Sequence, residues 1–127
     1  MSDNEGQQSV EEEWTPAHRA VELGEYEELA RLLAGGVDPD EVCFGQTLLV
    51  HAIDLEGDSA RQSGKPLNSV LTAILLAYGA DPALVDPDGD TPLSMAKMVN
   101  HVAAENLLRS FMQGKLEDFR SVRRCRG

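Results

Sequence analysis

The residues able to do chemistry in this chain are three histidines (His18, His51, His101), two cysteines (Cys43, Cys125) and a run of aspartates at Asp86, Asp88 and Asp90. The histidines match no metal-ligand spacing, and there is no H-E-x-x-H pair on which zinc and a general base would sit together. The aspartates resemble a calcium loop only in part. Gly89 falls at the fourth position instead of the sixth, and Lys97 stands where a bidentate Glu is required. The stretch GDSARQSGKP from Gly57 also fails as a phosphate loop, because Ser59 replaces the first Gly and Pro66 the closing Ser or Thr. Nor is GDSAR, residues 57–61, a nucleophile elbow, since Arg61 takes the place of the last Gly. Cys43 has no basic neighbour to draw out a thiolate and reads as a small surface residue. Two cysteines so far apart build neither a disulfide framework nor a zinc cluster, which fits a reducing compartment. The sequence therefore predicts no enzyme, no metal and no cofactor.

The elements that position these residues repeat along the chain. WTPAHRAV from Trp14, QTLLVHAI from Gln46 and DTPLSMAK from Asp90 align, as do LLAGGVDPD from Leu32 and LLAYGADPA from Leu75. Thr15 and Thr91 suit helix N-caps, with Pro16 and Pro92 at the first helical position where no N–H donor is needed. Gly24 suits the left-handed turn that ends a short helix. A second helix follows in each unit. Its apolar stripe is Tyr26, Leu29, Leu32 and Leu33 in the first, Val70, Leu71, Ile74 and Leu75 in the second, and Val102, Leu107, Leu108 and Phe111 in the third. No unit of this size buries its own stripe, so neighbours must stack.

These segments resemble ankyrin repeats, whose signature is T-P-L-H-x-A at a period of about 33. The resemblance covers three copies, about 14–44, 45–88 and 89–112, within a repeat region of residues 14–114. It implies an all-α solenoid of helix-turn-helix units joined by short hairpin-like fingers. The second copy departs from the pattern: Leu48 replaces the Pro, and the His is displaced one place to His51, leaving Val50 in its slot. About eleven extra residues separate its two helices, around Glu56–Lys65. That polar segment, rich in Gly and Ser, is expected to be a surface loop dispensable for folding. Residues 1–13, acidic and without periodicity, are expected to be disordered. Residues 115–127 are expected to form a last short capping helix, through Leu116, Phe119 and Val122, and a basic tail.

Charge narrows the partners. The chain of 127 residues carries 22 acids against 11 bases, a net charge of −11. The balance disfavours nucleic acid and anionic membrane surfaces, the basic tail with Arg120, Arg123, Arg124 and Arg126 notwithstanding. Residues 14–114 alone hold 15 acids and 6 bases. No apolar run is long enough for a membrane span and no signal peptide follows Met1, so a cytoplasmic protein is expected. The excess of Arg over Lys and the scarcity of Ile point to a bacterial source.

The resemblance implies a protein-binding module whose fingers and first helices line a concave face. The variable positions of the motif there are Trp14, Glu22 and Leu23 in the first copy, and Phe44, Gln46, Asp54 and Leu55 in the second. The third supplies Pro87, Asp88, Asp90 and Met98. This mixture of apolar anchors and carboxylates suits an interface core with an acidic rim. For Trp14 the competing role is a cover over the open end of the first repeat, for Leu55 and Met98 a place in the inter-repeat core, and for the carboxylates ordinary solvated charge. Two functions fit: a stoichiometric inhibitor of a basic partner protein, such as an immunity protein against a bacterial toxin, or an adaptor within a larger complex. Neither calls for a small-molecule substrate.

Overall fold

The structure, a computed structural model, describes residues 14–64 and 67–124, with side chains as far as residue 113. The acidic segment 1–13, Cys125 and the basic side chains of the tail lie outside the described residues. Helix α1 (Pro16–Leu23) begins at Thr15, whose side chain accepts from the His18 N–H, and ends at Gly24 with φ 69°. Helix α2 (Tyr26–Ala34) places Glu27 and Glu28 in its first turn and Arg31 in its last, the arrangement that suits the helix dipole. The first finger follows as a two-residue hairpin. Strand β1 (Val42–Cys43) pairs antiparallel with β2 (Gln46–Thr47), Val42 opposite Thr47 and Cys43 opposite Gln46.

Thr47 then caps α3 (Leu48–Ser63), and here the structure corrects the sequence reading. Residues Glu56–Ser63 continue α3 for about two more turns and form no surface loop; Gly64, at φ 73°, is the C-cap. The extension is stable as helix for two reasons. Its solvent side carries short-range pairs, Arg61 and Gln62 both donating to Asp58 and the Ser63 hydroxyl donating to the Ser59 carbonyl. Its inner side carries Glu56 and Gly57, which are buried. A Cβ on Gly57 would come within 2.5 Å of Val99 Cγ2, so the residue is absent of side chain because helix and neighbour touch there. Glu56 and Gly57 thus belong to the packed interior, and removing the inserted segment is expected to destabilise the fold.

Helix α4 (Val70–Ala77) is capped in part from outside the local chain: Asn68 Oδ1 accepts from the Val70 N–H, and a distant carboxylate takes the next two. Ser69 makes no side-chain cap bond; Glu56 Oε2 accepts from the Leu71 and Thr72 N–H groups at 2.8 and 3.3 Å. Glu56 Oε1 accepts from the Thr72 hydroxyl at 2.7 Å and from His101 Nε2 at 2.8 Å, and His101 Nδ1 accepts from the Ala104 N–H. One buried carboxylate therefore ties α3, α4 and the start of the last helix together with four hydrogen bonds, at the positive end of a helix dipole. In the second finger Asp86 Oδ1 accepts from the Asp88 and Asp90 N–H groups, while its Oδ2 is buried without a partner. Asp40 Oδ1 accepts from the Asp81 N–H, joining one finger base to the next. Thr91 and Ser94 form a capping box ahead of α5 (Pro92–Met98).

Helix α6 (Val102–Arg124) is continuous through Gly114, so residues 115–124 prolong it and do not start a separate capping helix. The first helices α1, α3 and α5 contact in series, and so do α2, α4 and α6. Leu29, Leu48, Leu49, Ile53, Leu75 and Leu108 are fully buried between the rows. Each contributes about 1.5–3 kcal/mol from apolar burial. Tyr26, Val70, Val102 and Phe111, expected in the stripes, are exposed instead; the first three open their helices, where the chain has not yet turned inward.

Candidate protein-binding face

Two elements meet to make the face: the entry to α1 and the tip of the first finger. The turn between β1 and β2 consists of Phe44 and Gly45, with φ 54° and 79°. Positive φ at both positions is the type I′ geometry that matches the strand twist. Gly45 is required on a second count, since a Cβ there would lie 2.8 Å from Asp88 Oδ2 of the next finger. The turn throws Phe44 outward, 55% exposed, with its ring edge-on to Trp14 at 4.6 Å between centroids.

Trp14 in turn lies flat over two imidazoles, 4.7 Å from His51 and 6.0 Å from His18. The displaced histidine explains this stack. Val50 fills the slot the motif gives to His and is fully buried, so His51 moves one place round the helix towards α1. There its Nδ1 lies 3.0 Å from His18 Nδ1, and its Nε2 lies 2.8 Å from Glu22 Oε1. His18 Nε2 faces the Glu41 carbonyl at 3.3 Å. Burial lowers the His18 pKa to about 4; the Glu41 carbonyl opposes that shift and His51 adds to it. The Thr15 hydroxyl donates to Glu41 Oε2, fastening the finger to the helix entry.

Of the residues expected at the site, Trp14 and Phe44 come into ring contact, Glu22 joins them through His51, and Asp88 stands beside the Phe44–Gly45 turn. Leu23, which is exposed, and Leu55, which is half-buried and packed on the core, line a separate groove of about 250 Å³ with Glu22, Tyr26 and Ala60. Gln46 is half-buried in β2, and Asp90 is half-buried at the base of the second finger, where its carbonyl accepts from the Asp86 N–H. Asp54 is half-buried on α3 and Pro87 exposed. Met98 is 65% exposed on α5, which removes it from the inter-repeat core. The expectation missed His51 and Glu41. A signal for His51 was present: it stands one place beyond the slot of the motif's His, 33 residues after His18. A wider hollow of about 870 Å³, lined by Pro16, Arg19, Tyr26 and Glu28 among others, opens beside α1 and α2 and includes none of the expected residues.

No family model and no curated protein matches the sequence. Among solved structures, an ankyrin repeat domain from Acinetobacter baumannii AYE matches with a TM-score of 0.65 and 35% identity over 77% of this chain. This is an ankyrin-repeat protein. The chain spans 47% of the length of that relative. Among the described residues of this chain no helix is long and apolar enough to cross a membrane.

Proposed function

We propose that this ankyrin stack is a cytoplasmic stoichiometric inhibitor that covers a basic functional surface of a partner protein without modifying it, as an immunity protein covers a bacterial toxin. The observation that carries the reading is Phe44. A bulky residue with φ 54° costs about 1–2 kcal/mol that Gly or Asn would not. More than half of its surface is nonetheless left to solvent. Strain retained at an exposed aromatic tip, beside a second aromatic, has a use in binding. Around Phe44 and Trp14 stand Glu22, Glu41 and Asp88, and the acidic repeat region extends the same sign of charge. Such a surface speeds encounter with a cationic partner by about 10–10³-fold at low salt, while the aromatic anchors hold the complex.

The test is a kinetic titration with the captured partner at low and high salt. The association rate is expected to fall steeply with salt. Phe44→Ala is expected to weaken affinity by about 2 kcal/mol, and Asp88→Ala mainly to slow association. Loss of the partner's own activity at one equivalent separates an inhibitor from an adaptor, which leaves that activity intact. Affinity unchanged by both substitutions removes the concave face from the account.

A further inference from the structure

Beneath Trp14 runs a line of polar groups whose protons are fixed by geometry. The Glu41 carbonyl only accepts, so His18 Nε2, 3.3 Å away, carries a hydrogen towards it. With its pKa lowered to about 4, His18 is neutral near pH 7, and its Nδ1 is therefore a lone pair. His51 Nδ1, 3.0 Å from that lone pair, must donate to it. The remaining nitrogen, His51 Nε2, stands 2.8 Å from Glu22 Oε1, a separation two lone pairs do not share. A second proton lies between them. The Glu22 side chain is 41% exposed, so its carboxylate keeps water on its open side, and the Trp14 ring lies flat against His51; both favour the proton on His51. The opposite assignment, with hydrogen on His18 Nδ1, would aim the fully buried His18 Nε2 lone pair at the Glu41 carbonyl oxygen.

We propose that the His51–Glu22 pair is a proton-operated latch on the binding face. With the proton present, Glu22 is held against α3 and Trp14 lies over an imidazolium, an arrangement favoured by cation–π attraction. When the proton leaves, Nε2 and Oε1 repel, and Glu22 swings free as an unpaired carboxylate. A Lys or Arg of the partner and the His51 proton thus compete for Glu22, and the affinity of a basic partner rises with pH. That consequence rests on the function proposed above; the latch itself belongs to the free protein.

The charged and titratable groups around His51 are consistent with a single local event. Helix α1 supplies His18 and Glu22, the first finger supplies Glu41, and the second supplies Asp88 beside the Phe44–Gly45 turn. On its own helix Asp54 lies one turn further on, and α5 carries one charged residue, the exposed Lys97.

The experiment is nitrogen NMR of the full chain labelled at histidine, from about pH 5.5 to about pH 9, with Trp14 fluorescence read in parallel. Trp14 is the one tryptophan of the chain, so its emission is unambiguous. At the acidic end His18 is expected as the neutral Nε2–H form and His51 with both nitrogens protonated. As pH rises, the loss of the Nε2 proton and a rise in Trp14 emission are expected to follow one curve. Glu22→Gln, whose amide N–H can donate to a neutral Nε2, is expected to move both curves together to lower pH. A His18 protonated at Nδ1, a His51 singly protonated at the acidic end, or a Trp14 curve that persists in His51→Gln would overturn the latch. If the latch titrates but affinity for the captured partner is flat with pH, the proton chain stands and its link to binding is wrong.

Discussion

At the scale of single residues, Phe44 and His18 each set a measurable cost against a structural gain. Phe44→Asn relieves about 1–2 kcal/mol of left-handed strain but gives up an aromatic pair worth about 0.5–1.5 kcal/mol. The two nearly cancel, so the melting temperature is expected to stay almost where it was while partner affinity falls by the roughly 2 kcal/mol of an anchor. A stabilised variant with full affinity would show that Phe44 is not an anchor. His18 links folding to pH. Its folded pKa, about 4, lies below the ordinary 6.5, so between those values the unfolded chain holds a proton that the folded chain does not. Its stabilisation is present above about pH 6.5 and is lost as pH falls towards 4. Denaturant melts at intervals through that window are expected to lose midpoint steadily, and His18→Gln is expected to remove that part of the slope. Sequence alone showed Trp14 and Phe44 as apolar positions of the face. Their contact, and the turn that strains Phe44, depend on the finger folding back on the α1 entry, which spacing along the chain does not encode.

At the scale of elements, α3 decides how the second repeat works. The motif-bearing helices were legible because capping and termination are local: Thr15 and Thr91 with their prolines, and Gly24 at the left-handed stop, act within one turn. The extension of α3 was not legible for the opposite reason. Polar, Gly- and Ser-containing composition indicates a loop only when nothing distant holds the segment, and Glu56 is held by His101, 45 residues away. Two substitutions follow. Glu56→Ala leaves the Leu71 and Thr72 N–H groups, the Thr72 hydroxyl and His101 Nε2–H without their acceptor, and is expected to destabilise by about 3–5 kcal/mol in urea melts. Gly57→Ala improves helix propensity by about 0.5–1 kcal/mol, yet it drives a methyl into Val99 and is expected to destabilise by about 1–3 kcal/mol net. A higher melting temperature in Gly57→Ala would mean that α3 and the α5 end do not touch as described.

At the scale of the whole molecule, stability is shared between neighbouring repeats. Removing residues 89–127 takes away Met95, Ala96, Ala104 and Leu108 from the core and His101 from Glu56. With too few repeats left to bury a continuous core, the remainder is expected to show no cooperative thermal transition by circular dichroism. The stacking was readable from the repeat. The direction of use is what the sequence could express only as charge and a set of variable positions, of which the structure gathers Trp14, Glu22, Phe44 and Asp88 and leaves Met98 apart. The most direct measurement is affinity capture from source lysate, the wild-type chain against a Phe44→Asn, Asp88→Asn double variant as baits, with quantitative mass spectrometry. The account predicts one basic protein recovered in near-stoichiometric amount by the wild type and lost from the variant; equal recovery by both baits, or a partner that is itself acidic, would contradict it.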